Sequence, residues 1–405
     1  MKYTQSEIEQ YVVEEDVKFI RLAFVDIFGR QKNISIMPSE LRHAFDYGIA
    51  IDSSAIPGFE GGIKSDLLLH PDSSTLSILP WRPDRGRVVR MYCTLTHPDG
   101  TPFEADTRRL LCEAVEEARQ MGVSFHFGPE LEFYLFQRDE HGSPTHFPLD
   151  HAGYMDVSPD DKGENIRREV CLTLERMGIC PESSHHEEGP GQNEIDFRYS
   201  DPLDAADDTI TFRFVVNTIA AMNGLYADFS PRPLKDFPGN GMHINVSAQK
   251  EGTKDLLPYI ISGLLRRIYE TSVFFNTTED SYKRLGRHKA PKYISWSHEN
   301  RSQLLRIPAA TGSLKRVELR SPDPLCNPYL AFAFVIWSTL EALNNGESLD
   351  PPCNFNLSSL SDPNMALRTL PLDLNEACEA AMKSNFVRSK LPDFLLERYI
   401  KQIHN

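Results

Sequence analysis

Residues 128 to 136 read GPELEFYLF, an apolar stretch that carries two glutamates, Glu130 and Glu132, with one leucine between them. In a β-strand, successive side chains point to opposite faces, so both carboxylates share a face with Tyr134 while Leu131 lies on the other. Two like charges this close repel each other, and burying them is costly unless cations or hydrogen-bond donors compensate. The stretch therefore predicts either an exposed edge strand or a strand that faces bound cations.

Three further stretches show the same alternation of a polar and an apolar face. They are residues 192 to 197 (QNEIDF), 241 to 247 (GMHINVS) and 315 to 320 (KRVELR). Glycines and a proline in the loop before the first of these let Glu187 approach Glu194. If all four stretches are strands of one sheet, their polar faces bring together Glu130, Glu132, Glu187, Glu194, Glu318 and His243. Carboxylates with one imidazole suit two divalent cations, Mg²⁺ or Mn²⁺.

Arginines lie close in sequence to the last of these strands. They are Arg284, Arg301, Arg306, Arg316 and Arg320. Guanidinium groups beside a carboxylate-held metal pair can neutralise the charge that develops when a phosphoryl group leaves ATP. For any one arginine a surface ion pair is the simpler interpretation, but the cluster favours function. Because the sequence has no G-x-x-x-x-G-K-[ST] motif, we expect metals and arginines to hold the nucleotide.

The length of 405 residues favours two domains. Residues 17–37 alternate around FGR as a β-hairpin does, and residues 76–95 form a second strand pair. A turn near residue 103 precedes a helix and marks the predicted boundary, which gives domains 1–103 and 104–405. Strands predicted at 125–136, 193–199, 224–229, 241–248, 303–307 and 315–320 then alternate with helices predicted at 165–178, 206–223, 255–276, 328–344 and 374–384. The pattern indicates an α+β fold with a central sheet.

The charge balance bears on partners. Lys and Arg total 43 against 58 Asp and Glu, a net charge of -15, so the surface repels nucleic acid and anionic lipid. The N-terminal residues lack the pattern of a signal peptide, and the sequence has no apolar run long enough to span a membrane. The seven cysteines form no C-x-x-C pair and are expected to be reduced. We expect a cytoplasmic protein that binds neither nucleic acid nor membrane.

Together, the motifs GPELEFYLF, EEGPGQNEIDF, GNGMHINVS, NRSQLLRIP and RVELRSPDPLCNPYLAF resemble those of the glutamine synthetase family, in the same order and spacing. The resemblance extends over nearly the whole chain, including AIDSSAIPGFEGGIKSDLLLHPD near the start. It implies an N-terminal β-grasp domain followed by a catalytic domain built on a curved antiparallel sheet. It also implies a ring-shaped homo-oligomer, a dodecamer, with active sites between subunits. The expected reaction is ATP-dependent activation of an acid as an acyl phosphate, which an amine converts to an amide.

The resemblance also implies roles for individual residues. The first metal site would comprise Glu132, Glu187 and Glu194, and the second Glu130, His243 and Glu318. The acid substrate and the transferred phosphate would be held by Arg284, Arg301 and Arg320, with Gly239 and Lys289 also at the substrate. ATP would be contacted by Arg306, Arg316 and Asn245. Asp52 of a neighbouring subunit would attract the amine.

Departures from the family pattern fall on the acceptor side. GRHKAP places Lys289 where the family usually has the glutamate of GYEAP, Pro238 replaces an asparagine, and Asn245 replaces a histidine. Lys64 stands where the family more often has glutamate. A lysine at 289 repels ammonium, so with Asp52 it favours an amine that also carries an anionic or polar group. The alternative is that a shortened loop leaves Lys289 on the surface with no contacts.

Three hypotheses follow from these departures. The leading one is a ligase that amidates glutamate or a similar acid with an amine other than ammonia. The second is an ordinary glutamine synthetase with a divergent loop. The third is a catalytically silent ring with a structural or regulatory role. Six retained metal-type positions argue against silence, because unpaired buried carboxylates would only destabilise the fold.

Overall fold

The computed structural model describes residues 3–60, 65–82, 85–309, 312, 315–354, 357 and 367–403. Lys64 lies outside the described residues. In these ranges, none of the helices combines the length and apolarity that crossing a membrane requires.

Helices and strands alternate along most of the chain. The α-helices are α1 (Gln5–Glu14), α2 (Leu41–Tyr47), α3 (Thr107–Gln120), α4 (Glu164–Arg176), α5 (Pro202–Met222), α6 (Leu257–Thr271), α7 (Glu279–Arg284), α8 (Pro328–Asn345), α9 (Leu374–Lys383), α10 (Asn385–Lys390) and α11 (Asp393–Ile403). The strands are β1 (Val17–Val25), β2 (Gln31–Ile36), β3 (Ile49–Asp52), β4 (Asp66–Pro71), β5 (Ser77–Ile78), β6 (Arg87–Thr96), β7 (Val123–Arg138), β8 (Pro144–Pro148), β9 (Pro181–His186), β10 (Gln192–Phe197), β11 (Leu225–Asp228), β12 (Met242–Lys250), β13 (Trp296–His298), β14 (Leu305–Ile307) and β15 (Val317–Leu319).

The first of two compact units comprises residues 1–110, 172–179 and 390–405. Its sheet has the order β2-β1-β6-β4-β3, with β5 paired to β6. The predicted hairpin is confirmed, since β1 and β2 pair antiparallel. Asp26 Oδ1 accepts hydrogen bonds from the backbone N–H groups of Phe28 and Arg30, and Gly29 adopts a positive φ of 72°, which closes the turn. The parallel pairing of β1 with β6 completes a mixed sheet.

The second unit comprises residues 111–171 and 180–389. Its nine-stranded sheet has the order β13-β14-β15-β12-β7-β10-β9, and β8 and β11 also pair with β7. All four strands with a polar face are neighbours in it, as the sequence predicts. The neighbouring pairs are antiparallel except β13 with β14.

Helices cover the apolar face of this sheet. Phe127 of β7 stacks on Phe332 of α8 with ring centroids 4.4 Å apart, and Phe133 contacts Phe212 of α5 at 6.1 Å. Every residue of α8 from Pro328 to Leu340 is buried, so this part of the helix is enclosed on all sides. Because α5 and α8 pack on one face, the alternating glutamates of β7 and β10 are directed to the opposite face.

The sequence did not predict several short elements. They are α1, α2, α7, α10, α11, β3, β4, β8, β9 and β13. The predicted strand pair at 76–95 is confirmed, although β5 contains only two residues. The domain boundary near residue 103 stays a prediction.

Candidate active site

Hydrogen-bond register aligns the polar residues in rows across the sheet. In each row, the Cα atoms of residues on adjacent strands lie directly opposite one another, which brings side chains on one face into contact range. The rows are Glu132–Glu194–His185, His243–Glu130–Asp196 and Asn245–Glu318–Arg306. The single strands predicted from sequence therefore form one continuous polar surface.

This surface forms the floor of a cavity of about 610 Å³ in the second unit. The predicted site residues line it, with the exceptions of Asn245 and Asp52. Residues that the sequence reasoning did not single out line it as well, notably Tyr154, His185 and Glu188. The cavity is rich in charges of both signs, as a site for a polyanion and metal ions requires.

One candidate metal position lies between Glu130, His243 and Glu318. Their ligand atoms all lie within 4.8 Å of one another. His243 Nδ1 is 3.4 Å from Glu130 Oε2 and 3.8 Å from Glu318 Oε1. Burial and the nearby Arg320 lower the pKa of His243 well below its ordinary value, so the imidazole is neutral. A neutral imidazole between two carboxylates is a donor set that fits a divalent cation.

A second candidate position lies around Glu187 and Glu194, where His185 could be a third ligand. These three also fall within 4.8 Å of one another, and His185 Nε2 is 3.0 Å from Glu187 Oε1. Glu132 lies beside them: its Oε2 accepts hydrogen bonds from Gly241 N at 2.9 Å and Gln192 Nε2 at 3.1 Å. His185 was missed because its strand, β9, has no sequence signal, although its place opposite Glu194 makes it a natural ligand.

Protons compensate the like charges at this second position. Burial, and then the charge of Glu187, raise the pKa of Glu132 to about 8. Burial, followed by Asp196 and Glu132, raises the pKa of Glu194 well above its ordinary value. Burial and Glu130 raise the pKa of Asp196 to about 6. Near neutral pH, Glu132 and Glu194 therefore hold protons that a divalent cation can displace.

A buried network fixes the loop that carries Glu187. His186 is fully buried, with Nδ1 2.7 Å from the Glu187 carbonyl oxygen and Nε2 2.8 Å from Asp150 Oδ1. The same Asp150 oxygen accepts the N–H of Gly191 at 2.9 Å. Asp161 lies close to this pair but bonds to Arg167. The cluster therefore acts as an anchor for the Glu187 loop.

Arginines form the opposing, cationic part of the cavity. Arg306 and Arg320 both donate to the Glu318 carboxylate, and the Nε atoms of both are buried without a hydrogen-bond partner in the described part of the protein. Arg284 is buried and donates to the carbonyl oxygen of Ser321 at 2.9 Å. Guanidinium groups that line a cavity beside a carboxylate cluster suit an anion such as a phosphate.

Asn245 is buried beneath the cavity surface rather than exposed to it. Its Nδ2 donates to Glu130 Oε1 at 2.6 Å, and its Oδ1 accepts from Arg316 Nε at 3.0 Å. The amide therefore connects a metal-type carboxylate to Arg316, for which the family resemblance implies a contact with ATP. Its role in nucleotide binding stays a prediction.

Two glycines allow the backbone to approach the cavity closely. A Cβ atom on Gly239 would lie 2.1 Å from the carbonyl oxygen of Pro231. On Gly241 it would lie 2.7 Å from Arg284 Nη2 and 2.9 Å from His243 Nε2. Any side chain at these positions would displace the groups that line the site.

The acceptor-side residues differ in their surroundings. Lys289 forms an ion pair with Glu188, and its Nζ lies 5.5 Å from the centre of the Tyr154 ring. Lys289 lies on the surface, as the alternative expected, with 55% of its side chain exposed, but the expectation that it has no contacts is wrong, and its charge has a partner that the sequence did not predict. Asp52 is exposed at the end of β3 in the first unit, where its carboxylate accepts the N–H of Ser54 at 2.9 Å.

Comparisons with known proteins agree with this architecture. Residues 16–98 match the family described as glutamine synthetase, beta-Grasp domain, and residues 104–404 match glutamine synthetase, catalytic domain. Among solved structures, a complex of GmaS with ADP superposes with a TM-score of 0.88 at 25% identity, covering 100% of this chain and 95% of that one. A Plasmodium falciparum glutamine synthetase has the same TM-score at 21% identity, covering 100% and 96% of the two chains.

Curated relatives extend the similarity to the sequence. A glutamine synthetase of Methanosarcina mazei is 43% identical over 414 residues, covering 98% of this chain and 92% of the relative. A glutamine synthetase of Staphylococcus aureus is 38% identical, covering 98% of this chain and 93% of the relative. The expected β-grasp domain and catalytic domain with its curved sheet are thereby confirmed. This chain belongs to the glutamine synthetase family of ligases.

Proposed function

We propose that the protein is an ATP-dependent acid–amine ligase, which activates glutamate or a similar acid as an acyl phosphate and joins it to an amine. The observation that carries the proposal is the meeting, in one cavity, of a carboxylate–imidazole cluster with the guanidinium groups of Arg301, Arg306 and Arg320. The family uses ATP and divalent metal ions. The similar GmaS structure is a complex with ADP.

The donor sets fit two divalent cations, Mg²⁺ or Mn²⁺. Glu130, His243 and Glu318 would hold one. Glu132, Glu187 and Glu194 would hold the other, with His185 close to them. Bound there, the metals supply the positive charge that neutralises and orients the phosphates of ATP.

The arginines stabilise the phosphoryl transfer. A carboxylate oxygen of the acid attacks the γ-phosphorus of ATP, the bond to the bridging oxygen breaks, and ADP leaves. Arg301 and Arg320 neutralise the charge on the transferred group, and Arg306 and Arg316 contact the nucleotide. Arg284, next to Gly239, binds the acid.

The second step forms the amide. The amine nitrogen attacks the acyl carbon, the bond to the phosphate oxygen breaks, and phosphate leaves. The nitrogen then loses a proton, for which Asp52 of a neighbouring subunit is the candidate acceptor, since its carboxylate is exposed. This assignment rests on the family resemblance and on a ring-shaped homo-oligomer, for which a dodecamer is proposed.

Two candidates for the amine rest on different observations. The relatives at 38% and 43% identity are named glutamine synthetase, which favours ammonia. Lys289, in place of the usual loop glutamate, favours a larger primary amine, for example one that also carries an anionic group. The silent-ring hypothesis has no comparable support, because the metal-type positions converge on one cavity.

The proposal is tested by measuring ATP-dependent phosphate release from purified protein with Mg²⁺ or Mn²⁺, for a panel of acids crossed with ammonia and primary amines. Mass spectrometry then identifies the amide. Two variants control the assay: Glu132→Gln, which should be inactive, and Glu140→Gln, an exposed glutamate of the same unit, which should be active. Absence of an ATP-dependent amide with every pair would overturn the proposal.

A further inference from the structure

Apart from the candidate metal ligands and the arginines, the cavity wall contains a contact between two charged side chains. The Lys289 ammonium group pairs with the Glu188 carboxylate and lies 5.5 Å from the centre of the Tyr154 ring. All three residues line the cavity. We call them the latch.

The latch joins segments from three parts of the chain. Glu188 directly follows Glu187 after β9, Lys289 lies in the loop after α7, and Tyr154 lies between β8 and α4. The side chains of Lys289 and Glu188 are 55% and 34% exposed, respectively. An ion pair this accessible contributes little to stability, about 0 to 1 kcal/mol, so it can open without disturbing the fold.

The surroundings of the Lys289 ammonium group are those that bind a free ammonium ion. A carboxylate on one side and an aromatic ring on another recognise primary and methylated ammonium groups in proteins. The Tyr154 ring also packs edge-on against His185, with centroids 5.3 Å apart, and His185 contacts Glu187. The recognition position is therefore continuous with the carboxylate cluster.

The geometry points to Lys289 as a built-in occupant of this position, which a small primary ammonium ion must displace from Glu188 and Tyr154 in order to bind there. This inference rests on the proposed function, because the displaced lysine makes room for the amine substrate. Glu188 then raises the affinity for the amine, and Lys289 lowers it.

The two single variants are expected to differ in direction. Lys289→Gln leaves the Glu188 carboxylate and the Tyr154 ring free, so an ammonium ion should bind about tenfold more tightly. Glu188→Gln leaves the Lys289 charge without its partner, so an ammonium ion should bind severalfold more weakly. The double variant should fall between them, because both the competing cation and the attracting anion are absent.

The experiment measures binding of methylammonium chloride to the full chain by NMR titration of the ¹³C-labelled cation, with sodium chloride holding ionic strength constant. Lys283→Gln is the matched control, because Lys283 lies on α7, is also 55% exposed and also pairs with a carboxylate, that of Asp280. The variant removes the same charge from nearby in the chain, and Lys283 is not among the residues that line the cavity. It should leave methylammonium affinity unchanged.

Several outcomes would overturn the inference. They are Lys289→Gln binding methylammonium no more tightly than the wild type, both single variants shifting the affinity in the same direction, or Lys283→Gln reproducing the effect. A purely structural ion pair would lower the melting temperature of both variants without this ordering. In an active enzyme, the same ordering should appear in the KM for methylamine rather than in kcat.

The binding measurement separates this inference from the proposed function. If no acid–amine pair supports turnover but the affinity ordering holds, the ligase proposal fails and the latch stands. If turnover is found and the ordering is absent, the latch fails and the ligase proposal stands.

Discussion

Two ends of one sheet face compensate their buried carboxylates in different ways. At β15, Glu318 bonds to Arg306 and Arg320, so the chain itself supplies the opposite charge. At β7 and β10, Glu132 and Glu194 have other carboxylates as neighbours, and protons compensate them. At the first end, arginines of the chain supply the opposite charge, whereas at the second end Glu132 and Glu194 keep protons near neutral pH until a cation displaces them. Replacing a glutamate at each end should therefore have opposite effects on stability but the same effect on catalysis.

The largest expected effect is the one that the two ends share. Glu132→Gln and Glu318→Gln should each lower kcat/KM for ATP-dependent amide formation about a thousandfold or more, because each removes charge that organises the transferred phosphoryl group. Steady-state kinetics with saturating Mg²⁺ measure this. Glu140→Gln, a change at an exposed position, should retain activity. Full activity in either site variant would remove that glutamate from the site.

The stability of the metal-free protein should distinguish the two ends. Glu318→Gln leaves the buried guanidinium group of Arg320 and the partly buried one of Arg306 without their carboxylate, and should lower the unfolding free energy by roughly 3 kcal/mol. Glu132→Gln relieves like-charge repulsion and should raise it by about 1 kcal/mol at pH 8. Denaturant unfolding in the presence of EDTA measures both values. Changes of the same sign would show that the two ends do not differ as described.

The pH dependence of stability should reflect the proton-compensated end. Because the pKa of Glu132 is raised from 4.5 to about 8, the folded protein keeps a proton that the unfolded chain has released between these values. The stability that this proton gives the folded protein is fully present below about pH 4.5 and is lost as pH rises through about 8. Over this range the unfolding free energy falls by at most about 1.4 kcal/mol per pH unit. When the unfolding free energy is plotted against pH between pH 5 and pH 8.5, the slope should be smaller for Glu132→Gln than for the wild type. Equal slopes would contradict the assignment.

The smallest effect on stability and activity is expected at Asp52, an exposed carboxylate whose charge needs no compensation within the protein. Asp52→Asn retains an oxygen that can accept the Ser54 N–H group, so the melting temperature should not change. If a neighbouring subunit's cavity receives Asp52, the KM for the amine should rise about fivefold to tenfold. Oligomers that mix Asp52→Asn subunits with Glu132→Gln subunits should then regain part of the activity. Some of their sites would combine an intact Asp52 from one subunit with an intact Glu132 from its neighbour. No recovery would argue against a shared site.

The sequence predicted the sheet side of the site better than the loop side. Alternation with a period of two residues is local information, and it was enough to place Glu130, Glu132 and Glu194 on one face of their strands. Apolar residues on the other face, such as Phe127 and Phe133, then required helices to cover them. Register across strands is not local, so the opposition of His185 to Glu194 could not be read from the sequence.

Loop contacts were missed for a similar reason. The pairing of Lys289 with Glu188 joins residues 101 positions apart on two loops, neither of which has a periodic pattern. The resemblance identified Lys289 as unusual but gave no partner for it. Asp150, which anchors the Glu187 loop, was likewise hidden, because a single aspartate near a turn is common in any sequence.

Gly241 bears on how proteins of this kind can diverge after gene duplication. A single added methyl group there would collide with both Arg284 and His243, so a mutation at this position would damage the site in one step. Glu188 and Lys289 lie on exposed loops, where exchange of a side chain costs little stability. If these loop residues set the affinity for the amine, as proposed above, a duplicated copy can acquire a new amine through them one mutation at a time, while Gly241 and the strands around it stay the same.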